Sequence, residues 1–160
     1  MNAAQKAVDE FNKPESYAKG EAFEDYICRK IFPDEKYQLL HRTQDYNVNK
    51  ERFVDDSKQP DLKFRSKINK KEFFVEAKFR STYNQDCIEW CRFSQLKRYQ
   101  GIDKQTPVFI MLGVGEDSTS PNQVFLIPMK EIKYTKLYKS FLKKYELTSG
   151  QPVDYRTLQL

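Results

Sequence analysis

Residues 72–79 read Glu-Phe-Phe-Val-Glu-Ala-Lys-Phe, an apolar run with an acid and an amine set into its second half. Its length and aromatic content are those of a strand, and its apolar density places it at the centre of a sheet. Side chains two apart on a strand share a face, so Glu76 and Lys78 project together while Val75, Ala77 and Phe79 turn the other way into a core. A second β-like run, residues 61–67, precedes it across Ile68-Asn69-Lys70-Lys71, which suits a hairpin connection. With a loop of Asn69-Lys70 or of Ile68 to Lys71, Asp61 lies opposite Lys78 and Lys63 opposite Glu76. Asp61 then shares the face of Glu76 and Lys78; a three-residue loop would send it to the other side.

Upstream, residues 3–11 have helical composition and stop before Pro14. A long amphipathic helix is expected from Pro14 to about Ile31, with Phe23, Ile27 and Ile31 as its stripe and Phe32-Pro33-Asp34 as its stop. Lys36 to Thr43 reads as a strand, and residues 44–60 as a polar loop or an irregular strand. Downstream, Ser94 is expected to cap a short helix, Gln95 to Gln100, closed by Gly101. Residues 107–114 form an apolar strand covered on both faces, and residues 123–127 another. Residues 130–145 read as a helix and the last dozen residues as a polar tail. The expected order is α-β-β-β-α-β-β-α, in one domain with its core at about residues 14–145.

At 160 residues, 39% hydrophobic with 12 Phe and 10 Tyr, the chain has the apolar surface for a core, which excludes global disorder. Twenty-eight Lys and Arg against 23 Asp and Glu leave a net charge of +5 and favour a polyanionic partner, nucleic acid above all. Three cysteines without zinc-site spacing are expected to be free thiols, and a solitary histidine, His41, argues against Ser-His-Asp triads and multi-histidine metal sites. No apolar run reaches the roughly 18 residues of a membrane span and Met1 to Phe11 hold no signal-peptide core, so a cytoplasmic protein with no membrane partner is expected.

Two neighbouring carboxylates repel each other, and a hard divalent cation with oxygen ligands removes the conflict. Mg²⁺ or Mn²⁺ is therefore expected, held by Asp61, Glu76 and the carbonyl of Ala77 together with substrate phosphate oxygens. Taken alone, the same residues also suit an ordinary surface ion pair beside a turn acid.

The wider context adds to them. Lys19-Gly20-Glu21-Ala22-Phe23-Glu24, Pro60-Asp61, Phe74-Val75-Glu76-Ala77-Lys78 and Gln95-Leu96-Lys97-Arg98-Tyr99 together resemble the PD-(D/E)xK nuclease superfamily, in the style of Mrr-type restriction enzymes and archaeal Holliday junction resolvases. The resemblance covers residues 19 to about 114. It implies a restriction-endonuclease-like α/β core, a central mixed β-sheet flanked by helices, and metal-dependent hydrolysis of DNA. It also implies Asp61 and Glu76 as metal ligands, Lys78 as the residue that positions water and stabilises charge, Glu24 as a helix-borne acid and Gln95 as an accessory polar residue. Glu24 as a solvated helix acid and Gln95 as a first-turn residue are the structural alternatives.

Basic residues surround this face: Lys63, Arg65 and Lys67 alternate along the first strand, Arg80 continues the Glu76-Lys78 row, and Lys97 and Arg98 sit on the Gln95 helix. They suit phosphate contacts without base reading. The leading expectation is a Mg²⁺-dependent deoxyribonuclease. A catalytically silent nuclease-like module that binds DNA or protein is the alternative, and a small-molecule hydrolase a third reading. A homodimer would suit the cutting of two strands, but no interface is legible in the sequence.

Overall fold

Residues 2–4, 15–42, 59–148 and 150–160 are described by the structure, a computed structural model. Helix α1 spans Glu15–Tyr26 and runs on into a π-helical turn, Ile27–Ile31. Phe23, Ile27 and Ile31, the four-residue stripe, are fully buried. The helix stops where Phe32 N–H donates to the Ile27 carbonyl at 2.8 Å and Pro33 begins a turn. The expected helix over residues 3–11 lies outside the described residues except for Ala3 and Ala4, which are helical, and the segment 44–60 lies outside them up to residue 58.

Strands β1 (Tyr37–Arg42), β2 (Leu62–Ser66) and β3 (Glu72–Arg80) form an antiparallel meander. A short strand β4 (Cys87–Glu89) and helix α2 (Phe93–Asp103) carry the chain back to β5 (Val108–Val114), which lies parallel to β3, and β6 (Gln123–Pro128) pairs antiparallel with β5. The sheet order β1-β2-β3-β5-β6 is thus mixed. Every residue of β5 is buried, as its unbroken apolar sequence requires.

Alternation along β3 divides the core. Phe73 and Val75, with Ala77 and Phe79, pack on Phe23, Tyr26, Ile27 and Ile31 of the α1 side. Phe74 on the opposite face packs among Trp90, Leu96 and Tyr99. The expected central mixed sheet flanked by helices is therefore present. Gly113 lets α1 approach β5: a Cβ there would stand 2.6 Å from the Phe23 ring.

Four local expectations are corrected. The β2–β3 turn is Lys67 to Lys70, one residue earlier than expected, with Lys70 in the left-handed region at φ 63°. Leu62 therefore pairs with Val75 and Lys63 with Phe74, so Lys63 is not opposite Glu76. One step further out, Asp61 faces Glu76 rather than Lys78. The displacement is two residues in pairing, an even number, so Asp61 stays on the intended face. Helix α2 starts earlier than Ser94 and continues through Gly101 to Asp103, with Arg92 rather than Ser94 at its N-cap.

The third correction concerns residues 130–145. A 3-10 turn (Met129–Glu131), strand β7 (Lys136–Tyr138), a single helical turn α3 (Lys139–Leu142) and another 3-10 turn (Lys143–Tyr145) replace the expected helix. The cause is long-range pairing: β4 takes β7 as its antiparallel partner, and Trp90 donates from its backbone to Thr135 O at 2.9 Å and from its indole to Tyr134 O at 3.0 Å. Tertiary partners override a helical period that the sequence carries. The C-terminal stretch is likewise more than a polar tail: Val153 and Leu158 are buried in the α1-side core, and Tyr37 donates its phenol proton to Val153 O at 2.6 Å.

Candidate active site

Strand β2 begins at Leu62, whereas β3 continues past that level to Arg80. Glu76, Ala77 and Lys78 therefore stand on a stretch of β3 whose β2-side edge is free of the ladder, and Asp61 occupies the gap. Asp61 N–H donates to Glu76 Oε1 at 3.1 Å, and Ala77 N–H donates to Asp61 Oδ2 at 2.9 Å. Each carboxyl is thus fixed by a backbone amide of the other segment. On a strand the N–H and C=O of one residue point to the same edge, so the Ala77 carbonyl faces the Asp61 side as well.

Glu76 is 3% exposed. Its Oε2 accepts the phenol proton of Tyr99 at 2.9 Å and lies 3.3 Å from Lys78 Nζ. Burial, then the charges of Glu76 and Glu24, hold the Asp61 carboxyl well above the usual carboxylate range. Burial first, then the neighbouring Glu76, also pushes the Tyr99 phenol upward, so Tyr99 remains a donor. Glu24 on α1 is pushed up to about 7, chiefly by burial; Arg42, 3.2 Å away, opposes the shift, while Glu76 adds to it.

The donor set suits a hard cation. Asp61 and Glu76 offer two carboxyl groups whose mutual repulsion a divalent ion would relieve, and Ala77 offers a carbonyl. Among the described residues no group of three or more His, Cys, Asp or Glu forms an all-protein cage. Two carboxylates and a carbonyl fit Mg²⁺, which keeps several waters, better than a closed zinc site.

Lys78 stands where two clefts meet. One, of about 510 Å³, lies between Lys19 and Gly20 of α1 and Ala77 to Ser81. A Cβ on Gly20 would meet nothing within 4 Å, so the glycine leaves space at the cleft rather than serving a packing need. The other, of about 370 Å³, is lined by Lys78, Arg80, Glu89 to Arg92 and Gln95. Gln95 has a structural task there too: its Oε1 accepts Arg92 N–H at 3.2 Å and closes the first turn of α2.

The basic residues divide into two groups. Lys63 and Arg65 are both ion-paired to Glu72, at 3.2 and 2.8 Å. Arg80 donates to the carbonyls of Glu89 and Trp90 and so holds β4 to β3. Lys97 is exposed, and Arg98 lines a further cleft with Lys63 and Phe74. Its Nε is buried without a hydrogen-bond partner, while the guanidinium lies 5.4 Å from the Tyr99 ring centre.

Sequence reasoning passed over Tyr99 and Arg42 as site residues. Tyr99 was findable, because it follows Gln95 by one helical turn and so shares its face of α2. Arg42 carries no local signal: it also pairs with Asp25 at 2.7 Å, and only the packing of β1 beside α1 brings it to Glu24.

The raised carboxyls set a stability profile. Folded Asp61 and Glu24 hold protons that the unfolded chain releases, so stability falls as pH rises above their unfolded values. In EDTA the melting temperature should drop between about pH 4.5 and 7, the window set by Glu24, and Mg²⁺ should reverse much of the loss at neutral pH. Asp117 and Asp154, whose pKa values are lowered, ionise below that window. Thermal melts across this range check the expectation, and a rise in melting temperature through it would contradict the assignment.

The five-stranded mixed sheet between two helical layers is a restriction-endonuclease-like α/β fold. Among solved structures it is similar to that of Archaeoglobus fulgidus Hjc, a Holliday junction resolvase from an archaeal hyperthermophile, with a TM-score of 0.55 over 81% of this chain and 90% of that one. The two sequences are 12% identical, so the likeness is one of fold. No protein-family profile and no curated protein matches the chain. Among the described residues no helix is long and apolar enough to cross a membrane.

Proposed function

We propose that the chain is a cytoplasmic, divalent-metal-dependent endonuclease, a single nuclease-like domain that hydrolyses phosphodiester bonds in DNA. The observation that carries the reading is the meeting of Asp61, Glu76 and Lys78 beside the start of β2, where β3 runs on, with the Glu76 carboxyl held by Asp61 N–H and the Asp61 carboxyl by Ala77 N–H. Mg²⁺ or Mn²⁺ held by Asp61, Glu76 and the Ala77 carbonyl would supply Lewis acidity and a nucleophilic water at neutral pH. Lys78, paired with Glu76, lines both clefts, and its ammonium would orient water and offset the charge that grows on the phosphate oxygens. Tyr99 fixes the rotamer of Glu76 from behind, and Arg42 fixes Glu24. Lys97 and Arg98 are placed on α2 to take flanking phosphates. A module that binds without cutting is disfavoured by the complete acid-acid-lysine set.

The test is a panel of plasmid, linear duplex, single-stranded and branched DNA, and RNA, incubated with Mg²⁺, Mn²⁺ or EDTA. Metal-dependent cutting that disappears in the Asp61→Ala and Lys78→Ala proteins supports the proposal. Absence of cutting on every substrate, or equal cutting by both variants, refutes it.

Tyr99→Phe isolates one contact. It removes the donor on Glu76 Oε2 and keeps the ring in its place beside Trp90. The Mg²⁺ concentration for half-maximal cutting should rise about tenfold or more, in line with partners that orient metal ligands. An unchanged metal titration would show that Lys78 and the Asp61 amide suffice to hold Glu76.

A further inference from the structure

Phe93, Tyr134 and Tyr138 are the three exposed aromatic residues among the described ones, at 65, 72 and 55% exposure, and their backbones adjoin one stretch, Cys87 to Arg92. Glu89 to Arg92 of that stretch line the smaller cleft at Lys78. Phe93 follows it directly as the first residue of α2. The carbonyl of Tyr134 accepts the indole proton of Trp90, and Tyr138 pairs with Cys87 across the β4–β7 ribbon. Along residues 134–138 the exposed positions are Tyr134, Lys136 and Tyr138, while Leu137 is buried, and Lys136 and Tyr138 share the outer face of β7.

The charge around the rings suits phosphate. Lys133, Lys136 and Lys139 lie on the ribbon side, and Lys97 Nζ sits 5.3 Å from the Phe93 ring centre. Of the acids nearby, Asp86 is already paired with Lys139 at 3.4 Å, and Glu89 faces Lys136 in the strand register. Exposed aromatic rings interleaved with lysine bind nucleic acid by stacking on base faces, which are free in a single strand and covered in a duplex.

We propose that Phe93, Tyr134 and Tyr138 form a stacking platform for single-stranded DNA that enters or leaves the Lys78 cleft. The preferred substrate then contains an unpaired segment. This rests on the nuclease reading above and adds to it the form of DNA that the site takes.

The experiment is fluorescence anisotropy with a labelled oligothymidylate and a duplex of equal length, both in EDTA so that nothing is cut. Tyr134→Ala with Tyr138→Ala should weaken single-strand binding about thirtyfold, and Phe93→Ala about fivefold. Duplex binding should change by less than about twofold, since it rests on phosphate contacts. Tyr134→Phe with Tyr138→Phe should bind like the parent, because stacking survives loss of the hydroxyls. Melting temperatures verify that these surface variants fold.

Equal losses on both DNA forms, or none, would overturn the platform. So would a loss of self-association in sedimentation with DNA binding intact, which would mark the rings as a contact between copies. Cutting in Mg²⁺ of DNA that carries an unpaired segment, measured in parallel, separates the two proposals. A parent that cuts without dependence on the rings refutes the platform alone, and ring-dependent binding without cutting supports the platform while refuting the nuclease reading.

Discussion

Lys78→Ala should lower metal-supported DNA cleavage by about 100- to 1000-fold, the loss expected when one preorganised electrostatic group is taken from a phosphoryl-transfer site. The side chain is 19% exposed and stands at the meeting of two clefts, so its loss should leave the fold in place. In EDTA the variant should nonetheless melt below the parent. Glu76 would lose the ammonium at 3.3 Å while Asp61 and Glu24 still act on it. Lys78→Arg keeps the charge, but its planar guanidinium cannot place it where a compact ammonium stood, so recovery should be partial. Single-turnover cleavage and thermal melts with and without Mg²⁺ measure both effects; parental activity in Lys78→Ala would remove lysine from the chemistry.

Asp61→Asn should have effects of opposite sign on activity and on metal-free stability. The asparagine carbonyl can still accept Ala77 N–H, now 2.9 Å from Asp61 Oδ2, but the ionisable carboxyl facing Glu76 is gone. Cleavage should fall by about 1000-fold, as the site loses a cation ligand. In EDTA at neutral pH the protein should become more stable by about 1 to 3 kcal/mol, because Asp61 must take up a proton on folding or bear a desolvated charge beside Glu76, and asparagine needs neither. Mg²⁺ should then add little: an ion that binds the folded parent at a hundred times its dissociation constant adds about 2.7 kcal/mol, a gain the variant forgoes. If Asp61→Asn loses stability in EDTA, the carboxyl is a structural anchor and the repulsion argument fails.

The site was legible where local geometry decides it. Period-two alternation along residues 72–80 put Glu76 and Lys78 on one face and Val75 and Ala77 on the other, and the structure has them so. Asp61 reached that face even though the turn formed one residue early, because a displacement of two preserves the pleat. A shift of one would have separated it from Glu76. The four-residue stripe of α1 was equally plain, since Phe23, Ile27 and Ile31 repeat at the pitch of the helix.

What the sequence hid depended on partners far along the chain. Residues 134–142 carry apolar positions at helical spacing and an alternation at Tyr134, Lys136 and Tyr138 at once; pairing with β4 chose the second. Val153 and Leu158 sit in a polar stretch, yet Tyr37, Ile31 and Tyr26 bind that segment's backbone and draw it into the core. Arg42 acts on Glu24 across the packed layers, and no local period encodes that contact, whereas the helical spacing from Gln95 did point to Tyr99.

The central claim is that Asp61, Glu76 and the Ala77 carbonyl together hold a divalent cation. Crystals soaked in Mn²⁺ and measured at the manganese absorption edge test it most directly. An anomalous peak bordered by those three groups, with the Asp61 and Glu76 carboxyls turned towards it and no such peak in Asp61→Asn crystals, is the predicted result. Anomalous density elsewhere, or none while Asp61 and Glu76 keep their present hydrogen bonds, would contradict it.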